Sequence, residues 1–384
     1  MRLGLGCTAL ARGRLSGHVD GIGVYTSELL KYVNSNAGLL GVSSGDEKPA
    51  MCTVFGKKFG AALPTACTLP MVYSAAAATS AATGLPFLGA AKLERQIDLF
   101  HATDHYIPKL RNTPVVATIM DVIGIRHPEW VNPSLRRFKN ALFRKTVGWA
   151  DQIITISNYS AADIADWMGV QAPKITAIPL GVSEDYFKPV AQDIKNSVLS
   201  QYQLKPGYFI SVGTLQPRKN VERVIQAHAL LPSAMRIAHP LVVVGQNGWR
   251  TDDLIQSLSK LEQDGHGRWL KYVPRKEIFA LLQSAHALVF PSLYEGFGLP
   301  VLEGFASGIP VITSNTSSLP EVAGDAASLV NPNSVEEIAH AMLQLVEQTD
   351  LRNTLIQKGL MQVNKFSWAE TARLTSDVYR EMLS

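Results

Sequence analysis

Short runs of β-branched and aromatic residues alternate with amphipathic segments along nearly all 384 residues of the chain, and this alternation leaves few folds open. A strand, a helix and a further strand of the same direction build a parallel sheet wrapped by helices, so the expected fold class is α/β. In the first half the pattern predicts strands at 2–6, 51–56, 97–102, 115–120, 152–157 and 174–179, with helices at 22–33, 133–149 and 158–169. In the second half it predicts strands at 208–213, 241–245, 268–273, 287–292 and 310–315, with helices between them and three more between 334 and 383. Residues 188–206 hold two prolines and no clear strand, and they separate the two blocks. Two Rossmann-like domains with parallel sheets facing across a cleft are therefore expected, over 1–189 and 206–366. In such sheets ligands bind beyond the carboxyl ends of the strands, so the loops that follow the strands are where chemistry is sought.

Composition narrows the class of partner. Hydrophobic residues make up 46 % of the chain and charged ones 18 %, enough apolar material for two cores, yet no run of 18 clearly apolar residues demands a membrane span. The opening MRLGLGCTALARGR ends its short apolar stretch in arginines rather than in a small-residue cleavage site, so a cytoplasmic chain is expected. Cys7, Cys52 and Cys67 are an odd number without metal-ligand spacing, which argues against a disulfide framework and a structural zinc. Of the net charge of +4, residues 1–189 contribute +5, from 19 Lys and Arg against 14 Asp and Glu. That surplus suits an anionic surface or substrate; without interleaved aromatics it does not indicate nucleic acid. Residues 59–91 carry no charge and read either as an Ala-rich helix with loops or as a pliable surface touching a lipid-linked substrate. In LRRFKNALFRK, residues 135–145, five basic residues alternate with Leu135, Phe138 and Leu142, a helix that either sits on anionic lipid or packs by its apolar face.

The most informative stretch is PSLYEGFGLPVLEGFASGIPVI, residues 291–312, which reads strand, Gly-rich loop, helix, strand. Pro300 suits a first helical turn, and Gly296 and Gly298 leave backbone N–H groups bare before it, in a place fit for an anion or a sugar hydroxyl. Glu295 in the loop and Glu303 one turn into the helix either accept hydrogen bonds from hydroxyls or are a solvated turn residue and a dipole-favoured charge. In YFISVGTLQPRKNVERVIQAH, Arg218 and Lys219 follow a Gly-rich turn between strand and helix. A diphosphate leaving group needs positive charge, and a site without a metal takes it from Arg and Lys. The other reading makes them charges flanking Asn220 as helix N-cap. The chain has no D-x-D, no H-E-x-x-H and no His/Cys cluster, so no catalytic metal and no cofactor are expected. G-x-S-x-G at 41–45 follows a helix rather than a strand, and G-x-G-x-x-A at 4–9 has no expected helix after it, so neither is read as a hydrolase or nicotinamide site.

These residues resemble one family over nearly the whole chain: the retaining glycosyltransferases of family 4, with the GT-B fold. The most specific element is E-x(7)-E, Glu295 to Glu303, inside YEGFGLPVLE. Further matches are GTLQPRKN at 213–220, VVGQNGW at 243–249, YVPRKEIFALLQSAHALVFPS at 272–292, SSLPEVAGDAA at 317–327, ISNYSAADI at 156–164, PLGV at 179–182 and GIGVYTSELL at 21–30. The resemblance implies a nucleotide-sugar donor held mainly by the second domain and an acceptor on the first. Arg218 and Lys219 would bind the donor diphosphate, Glu295 the transferred sugar and Glu303 the ribose. Backbone N–H groups around Phe297, Gly298 and Leu299 would meet the diphosphate or sugar, Tyr272 and Val273 would hold the nucleobase, and Gly21 and Gly23 would let the first domain's backbone approach the diphosphate. The last helix, 367–384, has the amphipathic spacing to pack back on the first domain, as the family's last helix does.

There are departures from the family. Met120-Asp121 stands where members carry His-Asp, leaving Asp121 to meet an acceptor hydroxyl, with His127 and the pair His101 and His105 as further polar groups. Thr214 replaces a frequent Arg, and Lys271 a frequent Gly. The implied activity is retaining transfer of a hexose, by analogy mannose from GDP-mannose, to a polyprenyl-diphosphate-linked glycan of a bacterial surface polysaccharide. The enzyme is expected in the cytoplasm, peripheral on the inner face of the plasma membrane. UDP-glucose or dTDP-rhamnose as donor, and a silent GT-B binding or scaffold subunit, are the alternatives.

Overall fold

A computed structural model describes residues 1–17, 19–35, 50–63, 66–104, 106–131, 133–248 and 251–384. The first sheet is built from β1 (Leu3–Gly6), β2 (Met51–Phe55), β3 (Cys67–Leu69), β4 (Leu99–Ala102), β5 (Val115–Thr118), β6 (Gln152–Thr155) and β7 (Ile175–Ala177). All neighbours are parallel, in the order β3-β2-β1-β4-β5-β6-β7. The second sheet holds β8 (Phe209–Val212), β9 (Leu241–Val244), β10 (Gly267–Leu270), β11 (Ala287–Phe290), β12 (Val311–Ser314) and β13 (Ser328–Val330), in the order β10-β9-β8-β11-β12-β13. Every residue of β1, β4, β5, β9, β11 and β12 is buried, as strands covered on both faces must be. Each sheet reverses its strand order at one point, between β1 and β4 in the first and between β8 and β11 in the second.

The chain divides into two compact units, Met1–Glu129 with Pro133–Gly181 and Trp368–Ser384, and Trp130–Asn132 with Val182–Ser367. The core of the first is built on Phe55, Leu93, Phe100, Val115, Ile153 and Ile164; that of the second on Phe209, Leu241, Val289, Ile312 and Met342. The helix Trp368–Leu383 belongs to the first unit. Its Tyr379 hydroxyl bonds His101 Nδ1 at 2.6 Å, and Thr371 Oγ1 donates to the Pro179 carbonyl at 2.8 Å.

Several expectations are corrected. A helix does follow β1: Thr8–Ser16, whose residues Thr8 to Ala11 and Gly13 are all buried. Its amphipathic stripe is therefore missing from the sequence, and no side chain caps its start. Residues 188–206 contain the helix Gln192–Gln201, and the expected strand at 268–273 ends at Leu270. The uncharged stretch holds β3 and the Ala-rich helix Tyr73–Thr83, and the helix Ala90–Glu94 begins at its end. β3 and β13, three residues each, are too short for a period to declare itself. His101, expected as a further polar group of the site, lies in β4, wholly buried, with its second ring nitrogen 2.7 Å from Thr118 Oγ1. His105 and the G-x-S-x-G stretch at 41–45 lie outside the described residues. Among the described residues no helix is long and apolar enough to cross a membrane.

Candidate functional site

The strand order sets the location in the second unit. β8 and β11 are neighbours whose onward connections leave in opposite directions along the sheet, and the crevice beyond the carboxyl ends of such a pair takes ligands. The loop after β8 is GTLQPRKN and the loop after β11 is PSLYEGFG, so stretches 71 residues and more apart in sequence become adjacent. Three charged side chains join them. Lys219 Nζ lies 2.6 Å from Glu295 Oε1 and Arg218 Nη1 lies 2.8 Å from Glu295 Oε2. Arg218 also donates to the Tyr294 carbonyl at 3.2 Å, and its own carbonyl accepts from the Leu293 N–H at 2.8 Å. Lys219 Nζ sits 4.8 Å from the centre of the Phe290 ring, a cation–π contact at the end of β11.

Both loops are held by backbone geometry that only certain residues supply. Asn220 starts the helix Val221–Ala229 in the left-handed region at φ 61°, but its side chain does not cap that helix as expected. Its amide instead donates to the Pro291 and Pro332 carbonyls at 2.9 and 2.7 Å, tying the β8 loop to the ends of β11 and β13. A Cβ on Gly245 would stand 1.9 Å from the Gly213 carbonyl oxygen, so the loop after β9 touches the loop after β8 backbone to backbone. Gly298, at φ 117°, opens the helix Leu299–Ala306 without a side-chain cap, and Pro300 lies in its first turn. Ser318 Oγ donates to the Glu295 and Phe297 carbonyls at 2.9 and 2.8 Å, while the Glu295 N–H donates to Ser317 Oγ at 3.2 Å.

The electrostatics follow from burial and pairing. Burial alone would raise Glu295; Lys219 and then Arg218 overcome it and hold the carboxyl at about 2. Burial lowers Lys219 below the ordinary lysine range, with Arg218 adding to it and Glu295 opposing. Burial raises Glu303, against hydrogen bonding from Tyr186 and the charges of Arg275 and Lys219. The site thus brings two cations and two carboxylates to one place, with one carboxylate ionised between the cations and the other above its usual range. This arrangement can hold a polyanion and orient hydroxyl groups beside it. Among the described residues no group of three His, Cys, Asp or Glu side chains is placed to hold a metal ion.

The remaining candidates fall elsewhere. Val273 is buried and Tyr272 exposed in the loop after β10, at the sheet's far edge from β13. In the first unit, Gly21 opens the helix Gly21–Ser35, and the Gly23 N–H donates to Asp20 Oδ1 at 2.9 Å. A Cβ on Gly21 would meet nothing within 4 Å, whereas one on Gly23 would press on Val19 at 2.6 Å. Asp121 Oδ1 accepts from the Ile123 N–H at 3.0 Å, and His127 Nδ1 lies 3.1 Å from Glu129 Oε1. Sequence reasoning missed Tyr186 and Arg275 beside Glu303. Tyr186 lies 117 residues from Glu303 in a short 3-10 turn, Glu184–Phe187, so no periodicity points to it.

Residues 196–361 match the family described as glycosyl transferases group 1, and residues 65–186 match glycosyltransferase family 4. The chain is 35 % identical over 283 residues to the O-antigen chain mannosyltransferase B of Escherichia coli, covering 73 % of this chain and 74 % of that protein. It is 29 % identical over 264 residues to the serotype-specific mannosyltransferase WbdA of Escherichia coli, covering 66 % of this chain but only 31 % of that longer protein. The crystal structure of WaaG, a glycosyltransferase involved in lipopolysaccharide biosynthesis, superposes with a TM-score of 0.72 at 16 % identity over 98 % of this chain and 99 % of that one, a likeness of fold. With the Glu295/Arg218/Lys219 loops at the turning point of its second sheet, the chain belongs to the family 4 glycosyltransferases and is a glycosyltransferase of the GT-B fold.

Proposed function

We propose that this enzyme transfers a mannosyl residue from GDP-mannose, with retention at the anomeric carbon, to a lipid-linked glycan of a surface polysaccharide. The observation that carries the reading is the pairing of Arg218 and Lys219 with Glu295, since two cations in a largely buried setting suit a diphosphate leaving group. The mannosyl donor is supported by the relatives, which are named mannosyltransferases.

In this reading Arg218 and Lys219 take the charge that grows on the leaving diphosphate, so no metal is required. The N–H groups at Phe297, Gly298 and Leu299 point to the same anion from the uncapped helix start. Glu295 bonds hydroxyls of the transferred sugar and Glu303 those of the ribose, while Tyr272 and Val273 border the base. The bond from C1 to the diphosphate oxygen breaks as a bond from C1 to the acceptor oxygen forms on the same face. The acceptor's proton passes to the departing phosphate oxygen, and the diphosphate leaves as GDP. No protein nucleophile takes part, unlike the double displacement of a retaining glycosidase. Asp121 and His127 serve the acceptor.

The test is thermal unfolding with GDP, UDP or dTDP in the presence of EDTA. A ligand at about 100 times its dissociation constant adds about 2.7 kcal/mol, which raises the midpoint by several degrees. Selective stabilisation by GDP is the expected result; selective stabilisation by UDP or dTDP overturns the donor. The reading also assigns the helix Arg136–Val147 to the inner membrane face. Phe138 and the preceding Leu135 are 56 % and 69 % exposed beside Arg136, Arg137 and Lys139, while Leu142 packs inward. Sedimentation with anionic but not neutral vesicles at low salt is expected, and equal sedimentation with both sinks the membrane role.

A further inference from the structure

All three cysteines of the chain lie in the first unit, and two of them meet. Cys7 follows β1 at the start of the helix Thr8–Ser16, and Cys52 lies in β2. In the parallel ladder Cys52 is opposite Leu5, so Cys7, two residues on, faces the same side of the sheet one pleat further along. The Cys7 N–H donates to the Thr53 carbonyl at 2.8 Å, and the Cys7 thiol donates to Cys52 Sγ at 2.9 Å. Cys67 is opposite Thr53 in β3, so it faces the other side of the sheet from both.

The surroundings separate the roles of the two thiols. Cys7 is wholly buried, whereas Cys52 is half-buried and lines a cavity of about 760 Å³ that Arg2, Arg14 and Arg95 also border. The hydrogen bond from the Cys7 thiol holds Cys52 below the ordinary thiol range, against burial and with the help of the Arg14 charge. The same bond, together with burial, raises Cys7. A thiolate that is accessible and beside positive charge is the reactive form of cysteine. A second thiol within bonding reach turns its oxidation into a disulfide.

We propose that Cys52 and Cys7 are a reversible redox pair, oxidised by hydrogen peroxide and reduced by an external dithiol, with Cys52 the attacking and Cys7 the resolving thiol. The Cys52 thiolate attacks one peroxide oxygen and the O–O bond breaks. Cys52 becomes a sulfenic acid, and the departing hydroxide takes up the proton that the Cys52 thiol had shed, giving water. Cys7 sulfur then attacks Cys52 sulfur: the S–S bond forms, the S–O bond breaks, and the hydroxyl leaves with the Cys7 proton as a second water. The two thiols lose two electrons to the peroxide, and thiol–disulfide exchange with the dithiol returns them. β1 and β2 are already paired, so the bond joins neighbouring strands, and as a disulfide Cys52 is spared the irreversible sulfinic and sulfonic stages. This chemistry needs neither donor nor acceptor.

The experiment adds an equimolar amount of hydrogen peroxide to the reduced full chain at neutral pH, blocks the remaining thiols by alkylation, and maps the cysteines by mass spectrometry. A peptide linking Cys7 to Cys52, Cys67 recovered as the alkylated thiol, and return of both linked thiols with dithiothreitol are expected. Before peroxide is added, Cys52 is expected to be alkylated at least about tenfold faster than Cys67. In Cys7→Ser, dimedone is expected to trap a sulfenic acid on Cys52, and Cys67→Ser is expected to form the same link as the wild-type chain. No link, a link that involves Cys67, a link that dithiothreitol does not open, or Cys52 alkylated no faster than Cys67 overturns the pair. The wild-type map decides even where Cys7→Ser, at a buried position, fails to fold.

Discussion

At the scale of single residues the site is an arrangement of charge in a place with little water. Glu295 is held ionised by Lys219 and Arg218 at 2.6 and 2.8 Å, and the same two cations are the ones a departing diphosphate needs. Removing Lys219 leaves Glu295 still paired with Arg218, so Lys219→Ala is expected to keep its fold and lose at least about 10²-fold in kcat, as when one preorganised donor is removed from a transition state. Steady-state kinetics beside a thermal melt checks both halves, and near-normal turnover removes Lys219 from the mechanism. The types of these residues were legible in the sequence, because Arg-Lys after a Gly-rich turn and two carboxylates across YEGFGLPVLE announce a polar anion site. Their pairing was not, nor was the part of Tyr186 and Arg275, since a contact between distant segments leaves no local trace.

At the scale of elements, loops are positioned by close backbone approach more than by side chains. Gly245 touches the Gly213 carbonyl and Gly248 the Leu215 carbonyl, each with a would-be Cβ at 1.9 Å, which aligns the loop after β9 against the loop that carries Arg218 and Lys219. Gly245→Ala is expected to push these backbones apart, costing about 3 kcal/mol or more because neither side can rotate away. The expected readout is a lowered urea midpoint together with weakened nucleotide binding; an unchanged midpoint denies the contact. Strands were readable to within a residue or two where apolar residues ran together, as in LVVV of β9 and ALVF of β11. The helix Thr8–Ser16 was not, because its buried residues Thr8 to Ala11 stand side by side at its start instead of recurring at helical spacing.

At the scale of the whole molecule, the two units are expected to respond differently to acid. In the second, burial lowers His228 and His286 to about 4, so the folded unit takes up fewer protons than the unfolded chain between about 6.5 and 4. Their stabilisation is full above pH 6.5 and is lost as pH falls toward 4; Glu303, raised by burial, opposes this in part. In the first, burial lowers His101 to about 3 but raises Asp104 to about 6, and these act in opposite directions as pH falls. Hydrogen exchange at pH 7 and pH 5 is therefore expected to show the larger loss of protection in the second unit, around β8 and β11. Equal loss in both units contradicts the assignment.

What the sequence determined by itself is the order and kind of the elements and the family, because hydrophobic period, Gly and Pro placement and YEGFGLPVLE are local patterns that survive in one dimension. Tertiary structure decided which loops meet. The reversal of strand order between β8 and β11 brings Arg218 to Glu295, the parallel pairing of β1 and β4 brings Ala9 to Asp104, and the enclosure of His101 by Tyr379 and Thr118 turns a candidate site residue into a structural one. These outcomes depend on which strand lies beside which, and burial and the pairing of charges from distant segments, which together set the pKa shifts described above, exist only once the sheets are assembled.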